Sequence, residues 1–327
     1  MKHNVAVILP CYNEEAAIAQ TVASFRAALP GATIYVYDNN SRDRTIEVAR
    51  EAGAVVRSER MQGKGNVVRR MFADIDADIY VMADGDATYD ATSAPAMVAR
   101  LVEEGLDMIV GTRVHEEAEA YRRGHVLGNK LMTGFLAGLF GRSFTDIFSG
   151  YRVFSRRFVK SFPVLSSGFE IETEISVHAL ELKMPVGEVE TTYFARLEGS
   201  VSKLNTYRDG FRILRVIVQL YRIERPMLFF GWIAALFAAL AVVLSIPLAI
   251  TYAQTGLVPR FPTAILATGL MILASLNLFA GLILDTVVHG RREVRRLAYL
   301  GQRAPHADPE EKVSNFVPGL TPREAAE

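Results

Sequence analysis

Two long stretches without charge constrain the fold of this chain more than any other feature of its sequence. The first runs from Pro226 to Pro259 and the second from Phe261 to Leu284, and neither contains an Asp, Glu, Lys or Arg. A helix needs about 20 apolar residues to cross a hydrocarbon core, and a buried helix of a soluble protein rarely reaches this length without a charge. The sequence therefore predicts two transmembrane helices joined by a short connector.

Basic residues flank these two helices asymmetrically. The connector carries only Arg260, whereas both outer flanks are rich in arginine. The arginines are Arg208, Arg212, Arg215, Arg222 and Arg225 before the first helix, and Arg291, Arg292, Arg295 and Arg296 after the second. Positively charged flanks stay in the cytoplasm. The sequence therefore predicts a multi-pass protein of the cell membrane, with both termini and the large N-terminal region on the cytoplasmic side.

Composition and patterning divide the chain into four predicted parts. They are an N-terminal domain at 1–205, an amphipathic juxtamembrane helix at 206–225, the two membrane helices at 226–288, and a basic flank with a polar tail at 289–327. The arginines of the juxtamembrane helix would meet the anionic headgroups of membrane lipids. Lys and Arg together number 36, as do Asp and Glu, and this zero net charge argues against a nucleic-acid partner.

The N-terminal region alternates apolar, β-branched runs with helical patterns. The runs at 4–9, 32–37, 54–56 and 79–82 predict strands, and helical periodicity separates them. This βαβαβαβ order predicts an α/β, Rossmann-like domain with a mostly parallel sheet and crossover helices. Ligands of such sheets bind at the carboxyl ends of the strands, so polar residues that follow the strands are the candidates for a site.

Polar clusters follow three of the predicted strands. They are Asn13 and Glu14 after the first strand, Asp38, Asn39 and Asn40 after the second, and Asp84 and Asp86 after the fourth. Two carboxylates one residue apart suit Mg²⁺ or Mn²⁺, and such an ion suits a diphosphate. Asp38 is placed to meet a ribose or base, and Gly63 with Lys64 would let amides and one cation approach a phosphate. Each cluster alone could instead cap a helix or form a solvated turn.

Together these motifs resemble those of family 2 glycosyltransferases with the GT-A fold. The segments that carry the resemblance are Pro10–Glu14, Asp38–Ser41, Gly63–Gly65, Asp84–Asp86, Gly111–Arg113, Asp146–Arg152 and Arg196–Lys203. The resemblance covers roughly residues 4 to 205. With its two C-terminal membrane helices, the chain is similar to the polyprenyl-phosphate glycosyltransferases, the group of the dolichol-phosphate-mannose synthases.

The resemblance implies a role for each motif. The nucleotide-sugar would bind to Pro10, Tyr12, Asn13, Glu14, Asp38, Asn40, Gly63, Lys64, Asp84 and Arg113, and the Mg²⁺ or Mn²⁺ ion to Asp84 and Asp86. The acceptor phosphate would bind to Arg123, Ser149, Arg152 and Lys203. Asp86, Asp146 and Arg152 would serve catalysis, with Asp146 either a base or an orienting group.

The chain departs from the family pattern in two places. Thr88 stands where mannose synthases often carry a Gln that binds the metal, and the Arg196–Lys203 segment has one additional residue before its Ser-Lys. Metal coordination would then be completed by water or by Asp84. The imperfect pattern favours UDP-hexose or UDP-N-acetylhexosamine as the donor, with GDP-mannose as the alternative.

The predicted activity is metal-dependent, inverting transfer of one sugar from a nucleotide-sugar to polyprenyl or dolichyl phosphate. Two other functions stay open at this point: a non-catalytic membrane adaptor that binds nucleotide-sugar, and a processive polysaccharide synthase. The second usually carries a Gln-x-x-Arg-Trp motif, whereas the only Trp here, Trp232, lies in a membrane stretch. A homo-oligomer is compatible with the sequence but nothing in it specifies one.

Overall fold

The computed structural model describes residues 3–115, 133–141, 144–164, 166, 168, 170–196 and 206–305, with backbone alone for 206–214. Its contacts divide the chain into two units. The first comprises residues 1–210 together with 295–327, and the second comprises residues 211–294. Residues 295–305, which the sequence placed in the basic flank and polar tail at 289–327, therefore group with the N-terminal region.

A seven-stranded sheet forms the centre of the first unit. Its strands are β1 (Val5–Cys11), β2 (Thr33–Asp38), β3 (Val55–Ser58), β4 (Ile79–Met82), β5 (Met108–His115), β6 (Arg152–Ser155) and β7 (Val186–Tyr193). They lie in the order β3-β2-β1-β4-β6-β5-β7. All pairings are parallel except those of β6, which is antiparallel to β4 and to β5. The predicted mostly parallel α/β sheet is confirmed, and the antiparallel β6 is an addition to it.

Helices cover this sheet. They are α1 (Ile18–Ala28), α2 (Thr45–Glu51), α3 (Lys64–Asp74), α4 (Ala94–Glu103), α5 (Arg156–Ser161) and α6 (Ile171–Glu181). Helix α1 contacts α2 and α4, whereas α3 contacts α5 and α6. The apolar positions Ile18, Val22 and Phe25 of α1 are buried in one core cluster with Val7 and Leu9 of β1. Their spacing of three and four residues places them on one helix face, which is why the sequence pattern identified this helix.

The strand directions bring the predicted site residues to one end of the sheet. Because β6 lies antiparallel between β4 and β5, strand β5 runs in the same direction as β1, β2 and β4, and β7 is parallel to β5. We call the end where these strands finish the carboxyl end, and the opposite end the amino end. Strand β6 begins at the carboxyl end, so the segment that precedes it also lies there.

The amino end of the sheet holds a buried carboxylate with three partners. Asp107, which directly precedes β5, is 0% exposed and forms an ion pair with Arg157. It accepts hydrogen bonds from Ser155 Oγ at 2.7 Å and from Tyr299 OH at 2.7 Å. The guanidinium of Arg157 also lies over the Tyr299 ring, 4.8 Å from its centroid. A side chain from the far end of the chain therefore completes the partners of a core carboxylate.

A second buried carboxylate lies in the same unit. Glu181, the last residue of α6, has a side chain that is 0% exposed and that pairs with Arg295 Nη1 at 2.5 Å. We call residues 295–305 the closing segment, because Arg295 and Tyr299 supply partners to Glu181 and Asp107. The closing segment is thus part of the packing of the first unit.

Helices α7 (Thr206–Glu224), α8 (Pro226–Thr255) and α9 (Phe261–Leu300) follow. Windows of α8 and α9 have mean hydropathies of 2.7 and 2.0, so both are long and apolar enough to be candidate membrane spans, as the sequence predicted. A Cβ at Gly281 would lie 3.2 Å from Phe230 Cβ, so their two helices approach closely there. Most residues buried on these two helices are small and lie seven positions apart: Ala234, Ala241, Ala267, Ala274 and Gly281.

Candidate active site

The turn after β4 carries the acidic pair at the centre of the site. Gly85 has to be glycine, because a Cβ there would lie 2.4 Å from Cys11 Sγ. Asp86 is 3% exposed, and its Oδ1 accepts a hydrogen bond from Thr88 Oγ1 at 2.6 Å. Burial, together with the nearby charge of Asp84, raises the pKa of Asp86. Two carboxylates held this close together favour the binding of a cation.

Two side-chain cations contact this acidic pair. Lys64 Nζ lies 2.5 Å from Asp84 Oδ1 and 2.6 Å from Glu172 Oε1. Arg196 Nη2 lies 2.8 Å from Asp86 Oδ2. Burial on its own would lower the pKa of Lys64, but Asp84 and Glu172 raise it above its ordinary value, so the amine stays charged. The sequence predicted that Lys64 lies beside a phosphate. It did not assign Glu172 to the site, because Lys64 and Glu172 are far apart in the sequence and no local motif links them.

The acidic pair fits a divalent ion such as Mg²⁺ or Mn²⁺. Such an ion is commonly held by one or two carboxylates together with substrate phosphates and water. Asp84 and Asp86 supply the carboxylate oxygens. In the part of the chain that the structure describes, no group of three or more His, Cys, Asp or Glu residues could hold a metal ion. A cation bound here would therefore complete its coordination with water or with a diphosphate.

Asp38, at the end of β2, has one carboxylate oxygen without a partner. The residue is 2% exposed, and its Oδ2 accepts a hydrogen bond from the backbone N–H of Ser41 at 3.2 Å. Its Oδ1 is buried with no hydrogen-bond partner. A buried acceptor left unpaired costs about 1–3 kcal/mol, and a donor group of a bound nucleoside would remove that cost. This oxygen supports the predicted contact of Asp38 with a base or ribose.

Two of the residues predicted to bind the nucleotide, Asn13 and Asn40, hold the surrounding loops together. Asn13 Oδ1 accepts from the backbone N–H of Arg42 at 2.8 Å, and Asn40 Nδ2 donates to the carbonyl of Arg60 at 2.9 Å. Both asparagines have positive φ, 53° and 65°, a conformation that Asn tolerates better than most residues. Asn39 Oδ1 similarly accepts from the backbone N–H of Gly63 at 2.7 Å. These amides fix the loop positions from which other groups can reach a ligand.

The remaining predicted residues of the first motif lie close to the end of β1. Pro10 is buried within the strand, Tyr12 is partly exposed, and Glu14 is 8% exposed. Burial raises the pKa of the Cys11 thiol, and the nearby charges of Glu14, Asp38, Asp84 and Asp86 raise it further. Four carboxylates from three loops therefore surround the end of β1, as the clusters in the sequence predicted.

Arg113 on β5 forms a two-pronged ion pair with Asp146. Its Nε and Nη2 lie 2.7 and 2.9 Å from the two oxygens of Asp146. The guanidinium also lies over the ring of Tyr193, 5.5 Å from its centroid. Burial would lower the pKa of Arg113, but the hydrogen bonds to Asp146 outweigh it and raise the pKa. Since both oxygens of Asp146 are engaged, this carboxylate orients Arg113 in the geometry seen here.

The structure corrects the predicted roles of Arg152 and Ser149. Both residues are 0% exposed, so neither is placed to contact an acceptor phosphate. Arg152 donates to the carbonyls of Ser149 at 2.9 Å and Ile147 at 2.6 Å, and to Ser176 Oγ at 3.0 Å. Ser149 Oγ donates to the carbonyl of Gly111 at 2.5 Å. Burial lowers the pKa of Arg152 to about 10, so it stays charged near neutral pH and supports the loop before β6.

That loop touches the acidic pair. A Cβ at Gly150 would lie 2.9 Å from Asp84 Oδ2 and 3.2 Å from Lys64 Nζ, so a larger residue here would displace the Asp84–Lys64 pair. The backbone N–H of Gly150 donates to Tyr89 OH at 2.9 Å. The sequence did not point to Tyr89, because an isolated tyrosine is an ordinary core residue. Arg123 and Lys203, predicted for the acceptor phosphate, lie outside the described residues.

Comparison with known proteins agrees with this geometry. Residues 6–162 match the family described as Glycosyl transferase family 2. Over 250 residues the chain is 35% identical to Glycosyltransferase AglJ of Haloferax volcanii, and the alignment covers 76% of this chain and 81% of that protein. The chain belongs to glycosyl transferase family 2. The predicted family resemblance is confirmed, and the protein is a glycosyltransferase.

Two further comparisons concern a second relative and a solved structure. It is 28% identical over 222 residues to a dolichyl-phosphate hexose transferase of Haloferax volcanii, which covers 68% of this chain and 96% of that protein. The crystal structure of glucosyl-3-phosphoglycerate synthase from Mycobacterium tuberculosis, in complex with Mn²⁺, UDP and glucosyl-3-phosphoglycerate, superposes with a TM-score of 0.55 at 22% identity. That likeness covers 67% of this chain and 79% of the other, and it shows a GT-A-like fold.

Proposed function

We propose that this family 2 glycosyltransferase moves one sugar from a nucleotide-sugar to a polyprenyl phosphate in the membrane, with the help of Mg²⁺ or Mn²⁺. The observation that carries the proposal is the convergence of Asp38, with its unpaired oxygen, and the Asp84–Asp86 pair around the end of β1. A nucleoside diphosphate has a donor-rich base and ribose at one end and an anionic diphosphate at the other. These two parts of the site match those two parts of the molecule.

The donor proposed is UDP-hexose or UDP-N-acetylhexosamine, with GDP-mannose as the alternative. Support for a uridine nucleotide comes from Thr88, which occupies the place where mannose synthases often carry a Gln. Thr88 Oγ1 donates to Asp86 at 2.6 Å, so it orients a carboxylate and does not add one. The solved synthase with the same fold holds UDP and Mn²⁺.

A polyprenyl phosphate is the proposed acceptor because the chain combines a glycosyltransferase unit with two candidate membrane spans. A relative with 28% identity bears the name of a dolichyl-phosphate hexose transferase. The arginines that flank the two apolar helices predict that the glycosyltransferase unit faces the cytoplasm. A lipid phosphate at that membrane surface would be within the reach of a membrane-anchored enzyme.

In the proposed reaction an oxygen of the acceptor phosphate attacks the anomeric carbon of the sugar. The bond from that carbon to the β-phosphate oxygen breaks, the nucleoside diphosphate leaves, and in-line attack inverts the anomeric configuration. The second pKa of a phosphate monoester is about 6, so the nucleophile is already an anion at neutral pH. A bound divalent cation supplies charge stabilisation to the leaving diphosphate.

The residues of this chain then act mainly by positioning and by charge. Arg113, fixed by Asp146 and Tyr193, presents a guanidinium at the carboxyl end of the sheet. Lys64 holds Asp84 in place while Glu172 holds Lys64. Such preorganised charges stabilise a developing anion at little reorganisation cost. A general base is not required in this scheme, so Asp146 serves to orient Arg113.

Purified full-length protein tests the proposal. It is incubated in detergent with polyprenyl phosphate and a panel of radiolabelled UDP- and GDP-sugars, and lipid-linked label is measured. We expect transfer from one donor class, none to polyprenol lacking the phosphate, and loss of transfer in excess chelator. Transfer to free water-soluble sugars but not to the lipid phosphate would contradict the acceptor, and full transfer in chelator would contradict the metal.

The role of Asp146 is tested with Asp146→Asn, which keeps the size of the side chain but removes its charge. If Asp146 only orients Arg113, substantial activity and the wild-type pH profile of kcat/KM should remain, because an amide oxygen still accepts one hydrogen bond. Donor binding is measured by calorimetry as a control. Turnover abolished with donor binding intact would show that Asp146 acts as a base or as an essential charge in the transition state.

A further inference from the structure

Each carboxylate of the acidic pair forms an ion pair with a basic side chain, and the two basic side chains differ in how firmly they are fixed and how exposed they are. Lys64 belongs to the first turn of α3 and is fixed by a second carboxylate, Glu172, at 2.6 Å. Its side chain is 10% exposed. Arg196 lies three residues beyond the end of β7, outside any helix or strand, and its side chain is 32% exposed. Of the two cations, Arg196 is therefore the one that water and ligands can reach.

Arg196 occupies the one oxygen of Asp86 that a metal would need. Asp86 Oδ1 already accepts the hydroxyl of Thr88 at 2.6 Å, whereas Oδ2 is bonded to Arg196 Nη2 at 2.8 Å. A divalent cation within coordination distance of Oδ2 would lie against the guanidinium, and these two positive charges repel. The Arg196 guanidinium and the divalent metal ion therefore compete for the same oxygen of Asp86.

A diphosphate removes this conflict. Its oxygens can accept the guanidinium with two parallel hydrogen bonds, the geometry that arginine prefers, while other oxygens coordinate the metal. We propose that Arg196 and the divalent cation bind Asp86 in exchange, so that the metal binds tightly only when a nucleoside diphosphate takes over Arg196. This inference rests on the proposed function, because it requires a metal-bound diphosphate donor.

The exchange makes metal and nucleotide binding mutually dependent. Whatever factor the nucleotide adds to metal affinity, the metal adds to nucleotide affinity, because the coupling free energy is shared. Part of that factor comes from direct phosphate–metal bonds and part from the departure of Arg196. Only the contribution from the departure of Arg196 depends on this residue, so substitution of Arg196 removes that contribution and leaves the phosphate–metal bonds. Without a nucleotide, Arg196 neutralises Asp86 and takes the place of the ion.

The experiment measures Mn²⁺ affinity by electron paramagnetic resonance of free Mn²⁺, on full-length protein in detergent, with and without UDP or GDP. The variant is Arg196→Gln. Its control is Arg42→Gln, which removes an exposed arginine from the loop after β2 at the same end of the sheet. We expect Arg196→Gln to bind Mn²⁺ alone about 10–100-fold more tightly than wild type, the scale of one charge-assisted hydrogen bond. The nucleotide should then increase Mn²⁺ affinity less in Arg196→Gln than in wild type.

Unchanged or weaker Mn²⁺ binding by Arg196→Gln in the absence of nucleotide would overturn the exchange, and so would an equal gain in Arg42→Gln. If Arg196→Gln unfolds at the same temperature as wild type, a folding defect is excluded as the cause of any change in its Mn²⁺ affinity. Absence of Mn²⁺ binding to every protein, with or without nucleotide, would also overturn it. Sugar transfer to polyprenyl phosphate in excess chelator would then show that the proposed reaction survives although the metal and the exchange do not.

Discussion

The two ends of the sheet each hold two acidic side chains with cationic partners, but they differ in their access to solvent. At the amino end, the side chains of Asp107 and Glu181 are 0% exposed, and their partners include residues of the closing segment. At the carboxyl end, Asp84 is 30% exposed and the Arg196 partner of Asp86 is 32% exposed. The same chemistry therefore gives permanent pairs where water is excluded and exchangeable pairs where a ligand can enter.

The largest effect on stability should come from removing one partner of a buried ion pair at the amino end of the sheet. Arg295→Ala removes a cation that pairs with the buried carboxylate of Glu181, and breaking a buried ion pair costs about 3–5 kcal/mol of unfolding free energy. The thermal unfolding temperature of the purified protein should fall by about 10 °C. Arg296→Ala, which removes an exposed neighbour, is the control. An unchanged unfolding temperature in Arg295→Ala would mean that the ion pairs at the amino end are no better shielded from water than those at the carboxyl end.

The Asp86–Arg196 pair at the carboxyl end should show the opposite behaviour: its loss should affect activity more than stability. Asp86→Asn should lower kcat/KM for sugar transfer about 10²–10³-fold, equivalent to about 2.7–4 kcal/mol of transition-state stabilisation. The unfolding temperature should stay near the wild-type value or rise, because burial and Asp84 raise the pKa of Asp86 and its charge is unfavourable in the folded state. A large loss of stability with little loss of activity would reverse the distinction between the two ends.

A smaller effect is expected from Tyr299→Phe. This change removes one hydrogen bond to Asp107 while it keeps the ring under the Arg157 guanidinium. A hydrogen bond to a charged group contributes about 1.5–3 kcal/mol, so the unfolding temperature should drop by less than in Arg295→Ala. Activity per folded molecule, measured below the transition, should not change. A selective loss of kcat at full stability would show that the closing segment acts on the reaction itself.

The smallest effect concerns pH. His178 on α6 is 1% exposed, its Nε2 is 3.2 Å from Ser161 Oγ, and burial followed by the charge of Arg295 lowers its pKa to about 3. The unfolded pKa is about 6.5, so below that value the unfolded chain binds a proton that the folded chain does not. Stability from this group should fall by about 1 kcal/mol between pH 7 and pH 5.5.

His178→Gln should reduce that pH dependence. The measurement is the unfolding temperature of both proteins at the two pH values, with the difference between them as the readout. The substitution removes only the imidazole, so a change in slope comes from that group. Identical slopes in wild type and His178→Gln would show that folding does not lower the pKa of this ring.

The parts of the site that could be predicted from sequence are those encoded by local motifs. Asp38 ends β2 and Asp84 lies two residues after β4, and parallel strands bring their carboxyl ends together whatever the rest of the chain does. Arg152 lies in an equally clear motif, but its burial depends on Ser176 of α6 and on β6 running antiparallel. Those are tertiary facts that a motif does not contain.

The closing segment was missed for a related reason. Arg295 pairs with a residue 114 positions earlier, and Tyr299 bonds to one 192 positions earlier. In the sequence, Arg295 is one of several arginines after an apolar stretch, and membrane topology explains such a cluster without any tertiary contact. A single charge cannot show by itself whether it serves a lipid surface or a buried carboxylate.

The position of the closing segment along the chain imposes an order on synthesis. Asp107 and Glu181 leave the ribosome long before Tyr299 and Arg295, because all of α8 and most of α9 are made in between. The glycosyltransferase unit can therefore complete its packing only after the second apolar helix has been synthesised. In a chain that spans the membrane as proposed, Arg295 and Tyr299 reach the unit only if the helix pair crosses and returns. Final folding of the enzyme would then depend on correct insertion of the helix pair, because in a misinserted chain Asp107 would lack the Tyr299 hydrogen bond and Glu181 the Arg295 ion pair.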